Sequence, residues 1–90
     1  MVLPYTETQT GNNEVVRTFS EDIDPIELMW HRDDEDRTVE AINGSDWCIQ
    51  LDNELPRLMT EPIFIARHAW HRLIKGTGNL TVKIKKEYNG

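Results

Sequence analysis

Apolar and polar residues alternate with period two over much of this chain. In residues 79–86, "NLTVKIKK", Leu80, Val82 and Ile84 fall on one side and Thr81, Lys83 and Lys85 on the other. Successive strand side chains point to opposite faces, so this pattern predicts a strand with one wet face. "DWCIQLD" puts Trp47, Ile49 and Leu51 together, and "EPIFIAR" sets Ile63 and Ile65 against Phe64. "RTVEAI" sets Val39 and Ala41 against Thr38, Glu40 and Ile42, and "EVVRTF" sets Val15, Arg17 and Phe19 against Val16 and Thr18. "PIELMWH" is apolar enough to predict a strand buried on much of its surface.

Turn chemistry separates these pieces: "TGNN", "INGSD", "DNELPR" and "KGTGN". The Asn43-Gly44 pair favours a tight hairpin with positive φ. Strands recurring at roughly 8–12 residues predict an all-β antiparallel sandwich or barrel with little or no helix. The best helical candidate is "RHAWHRLIKG", where Ala69 and Leu73, and Trp70 and Ile74, are spaced for one or two turns. Residues 1–12 read as a loose arm or an edge strand. No internal repeat, low-complexity tract or linker is evident.

Ninety residues make a single domain over 1–90 with a thin core, since a chain this short buries about two-thirds of its unfolded surface. No apolar run approaches the ~20 residues that span a bilayer. "MVLPYTETQT" lacks a secretory pattern. Cys48 is the only cysteine, which excludes an internal disulfide and suits a reducing, cytoplasmic setting. Within an apolar strand it reads as inert. The net charge of −6 argues against nucleic-acid binding, which needs a basic face. The charge is unevenly spread: residues 1–60 carry 14 acidic and four basic side chains, residues 61–90 two and six. Basic C-terminal strands are therefore expected beside acidic N-terminal ones; alternatively "KIKKEYNG" is a small docking surface.

The candidate chemistry lies in "ELMWHRDDEDR", residues 27–37. His31 and Asp33 are two apart, which on a strand aims both at one face. His71 follows 38 residues after Asp33. The charged run also reads as a solvated hairpin with His31 at its edge. No Gly-rich phosphate loop precedes a helix, and no Ser-His-Asp order stands out.

A strand ending in His-x-Asp, a Gly-bearing turn, an alternating strand and then "IARHAWHRLIKGTGNLTVKI" resemble a small cupin, a double-stranded β-helix or jelly roll, over residues 25–85. The first family motif, G-x5-H-x-H-x3-E-x6-G, falls on Pro25, His31, Asp33, Arg37 and Gly44. The second, G-x5-P-x-G-x2-H-x3-N, falls on Thr60, Ala66, His68, His71 and Lys75. His31, Gly44 and His71 agree; Asp33 stands where the second histidine would be, and Arg37 where the metal-binding glutamate would be. The resemblance implies a minimal jelly-roll barrel that dimerises through one sheet, with outward Trp30 and Phe64 favouring that contact.

Two imidazoles and a carboxylate form the facial set of non-haem iron sites, which also accepts Zn, Ni or Mn. His31, Asp33 and His71 are thus the candidate ligands of a divalent metal. His68, three residues from His71, would point away on a shared strand. Arg37 has three readings: an anchor for an anionic ligand, an ion pair with Asp33 in place of the metal, or a surface pair with Asp34 or Glu35. Arg37, Trp47 and Gln50 are the candidate ligand-binding residues, and no catalytic residue is assigned. Trp30, Trp47 and Trp70 supply sheet packing, a dimer contact or an aromatic pocket wall. The family includes dioxygenases, isomerases, decarboxylases and plain binding domains. The expected protein is a metal-binding barrel holding a small anionic molecule, an enzyme of the non-haem iron or a similar type if it is catalytic. The alternative is a non-catalytic binding or assembly module.

Overall fold

The computed structural model describes residues 5–88; residues 1–4 of the expected arm and residues 89–90 lie outside them. Eight strands follow in order: β1 (Tyr5–Gly11), β2 (Glu14–Phe19), β3 (Asp36–Ala41), β4 (Cys48–Leu51), β5 (Arg57–Leu58), β6 (Ile63–Ile65), β7 (His71–Ile74) and β8 (Leu80–Glu87). They form two antiparallel sheets, one ordered β1-β2-β8-β3-β6 and the other β5-β4-β7. This is the all-β antiparallel architecture that the alternation predicts and the jelly roll that the resemblance implies, and β1 is an edge strand of the larger sheet.

The period-two assignments hold residue by residue. Val15, Phe19, Val39, Leu80, Val82 and Ile84 of the large sheet share one buried core with Trp47 and Ile49 of the small sheet. Trp47, Ile49, Leu80 and Val82 are fully buried. A tryptophan can be buried only where its N–H finds a partner; Trp47 Nε1 donates to the Gly78 carbonyl at 3.0 Å. The charge split also finds its place. On β8, Lys85 sits opposite Glu14 of β2, and Lys83 opposite Glu40 of β3.

Several expectations are corrected. "PIELMWH" is not a strand: Pro25–Leu28 form one 3-10 turn, with Asp24 as N-cap accepting from the Ile26 N–H. Proline at the first helical position and an aspartate before it are start signals that outweigh a short apolar run. "RHAWHRLIKG" is not helical; it leads into β7. Asn43 and Gly44 do not close a hairpin, and the chain there crosses from the large sheet to the small one. Asn43 instead binds the start of β8, donating to the Asn79 carbonyl and accepting from the Thr81 N–H. Positive φ occurs at Asn13, Asn53, His68 and Gly78.

Candidate metal centre

Two segments meet here, the connection from the 3-10 turn to β3 and the start of β7. His31 lies beyond the 3-10 turn and forms an isolated antiparallel bridge with His71, the first residue of β7. The two exchange backbone hydrogen bonds, His31 N–H to His71 O at 3.0 Å and the reverse at 2.9 Å. Directly opposed residues of such a pair project to the same side. The rings accordingly meet edge to face, 4.2 Å between centroids. Asp33 does not share a strand with His31, as the spacing had suggested. It lies in the segment before β3, where the His68 N–H holds its carbonyl at 2.8 Å. His68 supplies that N–H from a left-handed conformation, φ 67°. Its own ring is exposed, 3.3 Å from Asp34 and apart from the cluster.

One ligand atom from each of His31, Asp33 and His71 lies within 4.8 Å of the others. Local backbone sets both imidazoles. His31 Nδ1 lies 3.2 Å from the Met29 carbonyl, and His71 Nδ1 lies 2.9 Å from the Ala69 carbonyl. A carbonyl only accepts, so each Nδ1 carries the proton and each Nε2 keeps a lone pair. This is how ligating histidines are held. His71 is buried, whereas His31 is exposed at the mouth.

Asp33 divides its two oxygens. Oδ1 lies 3.2 Å from Arg37 Nη2. Oδ2 lies 3.2 Å from His71 Nε2 but is buried and makes no hydrogen bond. With His71 neutral, two lone-pair atoms face each other at contact distance; only a proton on His71 Nε2 or another cation can sit between them. Buried polar atoms are rarely left this way. A cation satisfies both, so the residues present fit a divalent metal.

The electrostatics agree. Desolvation pushes the His31 imidazole below its ordinary value, and the neighbouring His71 acts in the same direction against the Met29 carbonyl and Asp33. For Asp33, desolvation pushes upward, but the His71 ring in its protonated form and the Arg37 guanidinium together outweigh it and hold the carboxyl below its usual range. Both shifts favour the form that binds metal.

Arg37 and its partner Glu35 complete the surroundings. Both are buried, and Glu35 Oε1 lies 2.8 Å from Arg37 Nη2 and 2.8 Å from Nε. Glu35 is therefore no surface partner of Arg37, and the guanidinium bridges it to Asp33. A cavity of about 420 Å3 opens beside the cluster, lined by His31, Asp33, Arg37 and His71 on its polar side. Trp47 and Gln50 do not line it. Trp47 is a core residue packed 6.1 Å from Phe19. Gln50 is tied on the other face of β4, donating to the Glu54 carbonyl and accepting from Arg72 Nε at 2.8 Å.

The sequence held a signal that period counting passed over. The triplet Trp-His-Arg occurs twice, at 30–32 and at 70–72. The bridge sets the two copies antiparallel, so Arg72 lies over the Trp30 ring and Arg32 over the Trp70 ring, each at 5.2 Å. Each cation–π contact sits on the face opposite the histidines and locks their alignment.

No protein-family model and no curated protein matches the chain. Solved structures do. One of the DMSP lyases RdDddP and RnDddQII has a TM-score of 0.69 at 16% identity, with 86% of this chain and 38% of that one covered. HppE, solved with Fe(II) and substrate, has a TM-score of 0.65 at 14% identity, covering 98% and 55%. HppE was also solved with Co(II). A putative mannose-6-phosphate isomerase from Ralstonia eutropha has a TM-score of 0.63 at 14% identity, covering 93% and 83%. The chain thus spans well under two-thirds of the lyase and of HppE, but most of the third. The fold is that of a cupin, a small antiparallel jelly roll. Among the described residues, no helix is long and apolar enough to cross a membrane.

Proposed function

We propose that the protein binds a divalent metal through His31, Asp33 and His71, and a small anionic molecule beside it in the barrel. The observation that carries this reading is the 3.2 Å approach of Asp33 Oδ2 to His71 Nε2, with Oδ2 buried and unbonded. Iron, zinc, nickel and manganese all suit this ligand set. A divalent metal held by these three side chains would supply Lewis acidity. The chain's own residues do the rest. The Met29 and Ala69 carbonyls fix the two rings, and Arg37 fixes Asp33 through Oδ1. The same proposal includes a homodimer and a cytoplasmic setting, supported by the outward Phe64 and by Cys48 as the only cysteine.

A second reading rests on the 3.2 Å pair between Arg37 and Asp33. There the guanidinium replaces the metal, and the barrel is a non-catalytic binding or assembly module. Elemental analysis of protein purified without chelator separates the two. The metal reading expects roughly one metal per chain, lost in His71→Ala. Protein that stays metal-free after incubation with Fe(II), Co(II), Ni(II), Mn(II) and Zn(II) would establish the second.

A further inference from the structure

We infer that the ligand of this centre is a monoanion with an apolar body of several carbon atoms, bound by its charged end at the metal. The inference rests on the metal reading above and narrows its substrate class. The charged side chains lining the cavity, besides the two histidines, are Arg17, Asp33 and Arg37. Both cations are already committed. Arg17 is ion-paired with Glu7 and lies over the Tyr5 ring at 4.2 Å. Arg37 is held by Glu35 at 2.8 Å and by Asp33 at 3.2 Å.

Each guanidinium already has a carboxylate partner, so a phosphate dianion meets no uncompensated side-chain cation here. Asp33, Glu35 and Arg37 together leave one negative charge. Adding a divalent cation leaves one positive charge, which a single carboxylate balances.

Apart from Tyr5, whose ring lies under Arg17, the remaining wall is apolar. Leu28, Ile49, Ile65, Leu73, Val82 and Ile84 offer no side-chain hydrogen bond. Each sugar hydroxyl buried there without a partner would weaken binding by about tenfold. The apolar lining continues outward onto the 3-10 turn and the residue after it. Ile26, 67% exposed, and Met29, 53% exposed, both line the mouth. Single exposed apolar residues are ordinary, but these two extend an apolar wall. They form the rim against which a carbon chain leaving the cavity would lie. The cavity volume falls within the range of small-molecule sites.

Calorimetric titration of the Co(II)-loaded protein tests this, with metal uptake first read from the visible cobalt bands. The probes are acetate, butyrate, hexanoate, octanoate, succinate and glucose 6-phosphate. Affinity should rise several-fold for each pair of added methylenes, up to the order of tenfold. Succinate and glucose 6-phosphate should bind more weakly than hexanoate. Ile26→Ser, at an exposed position of the 3-10 turn, should flatten the gain from hexanoate to octanoate relative to the wild type. Cobalt uptake with equal binding of acetate and octanoate, or with tighter binding of succinate or glucose 6-phosphate, overturns this inference alone. No cobalt uptake overturns it together with the metal reading.

Discussion

His31 and His71 are directly opposed across an antiparallel bridge one residue pair long, and their rings meet on the cavity side at 4.2 Å. One pair of backbone hydrogen bonds is a weak hinge by itself, since each such bond contributes only about 1 kcal/mol net. The flanking Trp30–Arg72 and Trp70–Arg32 contacts supply the rest of the alignment. A double-mutant cycle on Trp30→Leu and Arg72→Gln should give a coupling of about 0.5–1 kcal/mol in chemical denaturation. The Trp30→Leu variant should also bind Co(II) more weakly, because its histidine loses its register. Unchanged cobalt affinity would show that the bridge alone suffices.

Acid should destabilise the metal-free protein in two stages. His31 titrates lower folded than unfolded, so the unfolded chain binds its proton first. That contribution is present above about pH 6.5 and is lost as pH falls toward the lower folded value. Asp33 is likewise depressed, and its contribution is lost below about pH 3.8. Thermal melts between pH 7.5 and 5 should therefore show a falling midpoint, and His31→Gln should reduce that fall. A wild-type midpoint that stays level over this range would contradict the assignment.

The Arg37–Glu35 pair should be costly to break on one side only. Arg37→Met strands the buried Glu35 carboxylate and releases Asp33 Oδ1. About 3 kcal/mol should be lost, read from urea denaturation. Adding Glu35→Leu should recover much of that loss, because an apolar pair needs no compensating charge. If the double variant is no more stable than the single one, Glu35 is not the group left stranded.

Gly76 packs where no side chain fits. A Cβ there would stand 2.3 Å from Asp46 Oδ1 and 2.8 Å from both the Asp46 carbonyl carbon and the Trp47 nitrogen. Gly76→Ala should cost about 1–3 kcal/mol. Asp46→Ala should not rescue it, since the backbone atoms remain. A thermal midpoint matching the wild type would mean that the β7–β8 turn yields freely.

Much of the fold was legible because half-buried strands advertise themselves. In β8, Leu80, Val82 and Ile84 had to share a face, and a shift of one residue would have exposed all three. The segment before His31 was misread because Ile26, Leu28 and Met29 are apolar without being strand residues. Pro25 and Asp24 carried the local signal, and they were outweighed by composition. Asn43-Gly44 looked like a hairpin because local turn chemistry cannot announce a crossover between sheets; that depends on Asn43 reaching the distant start of β8. The three candidate ligands came from motif spacing. Their convergence relies on a bridge between residues 40 apart, which no local pattern encodes. Glu35 was hidden in the acidic run, since nothing in "DDED" marks which carboxylates turn inward.

The cluster also has a mechanical meaning. His71 begins a strand of the smaller sheet, and Asp33 lies just ahead of β3 in the larger one. His31 lies in the segment that joins β2 to β3, and its backbone bridges to His71. A cation gripping all three would rivet the two sheets together and close a long loop in the chain. Since it would grip only the folded form, saturating metal should make the barrel markedly slower to be cut by protease. In a domain with so little interior, one ion could then decide how long the molecule survives.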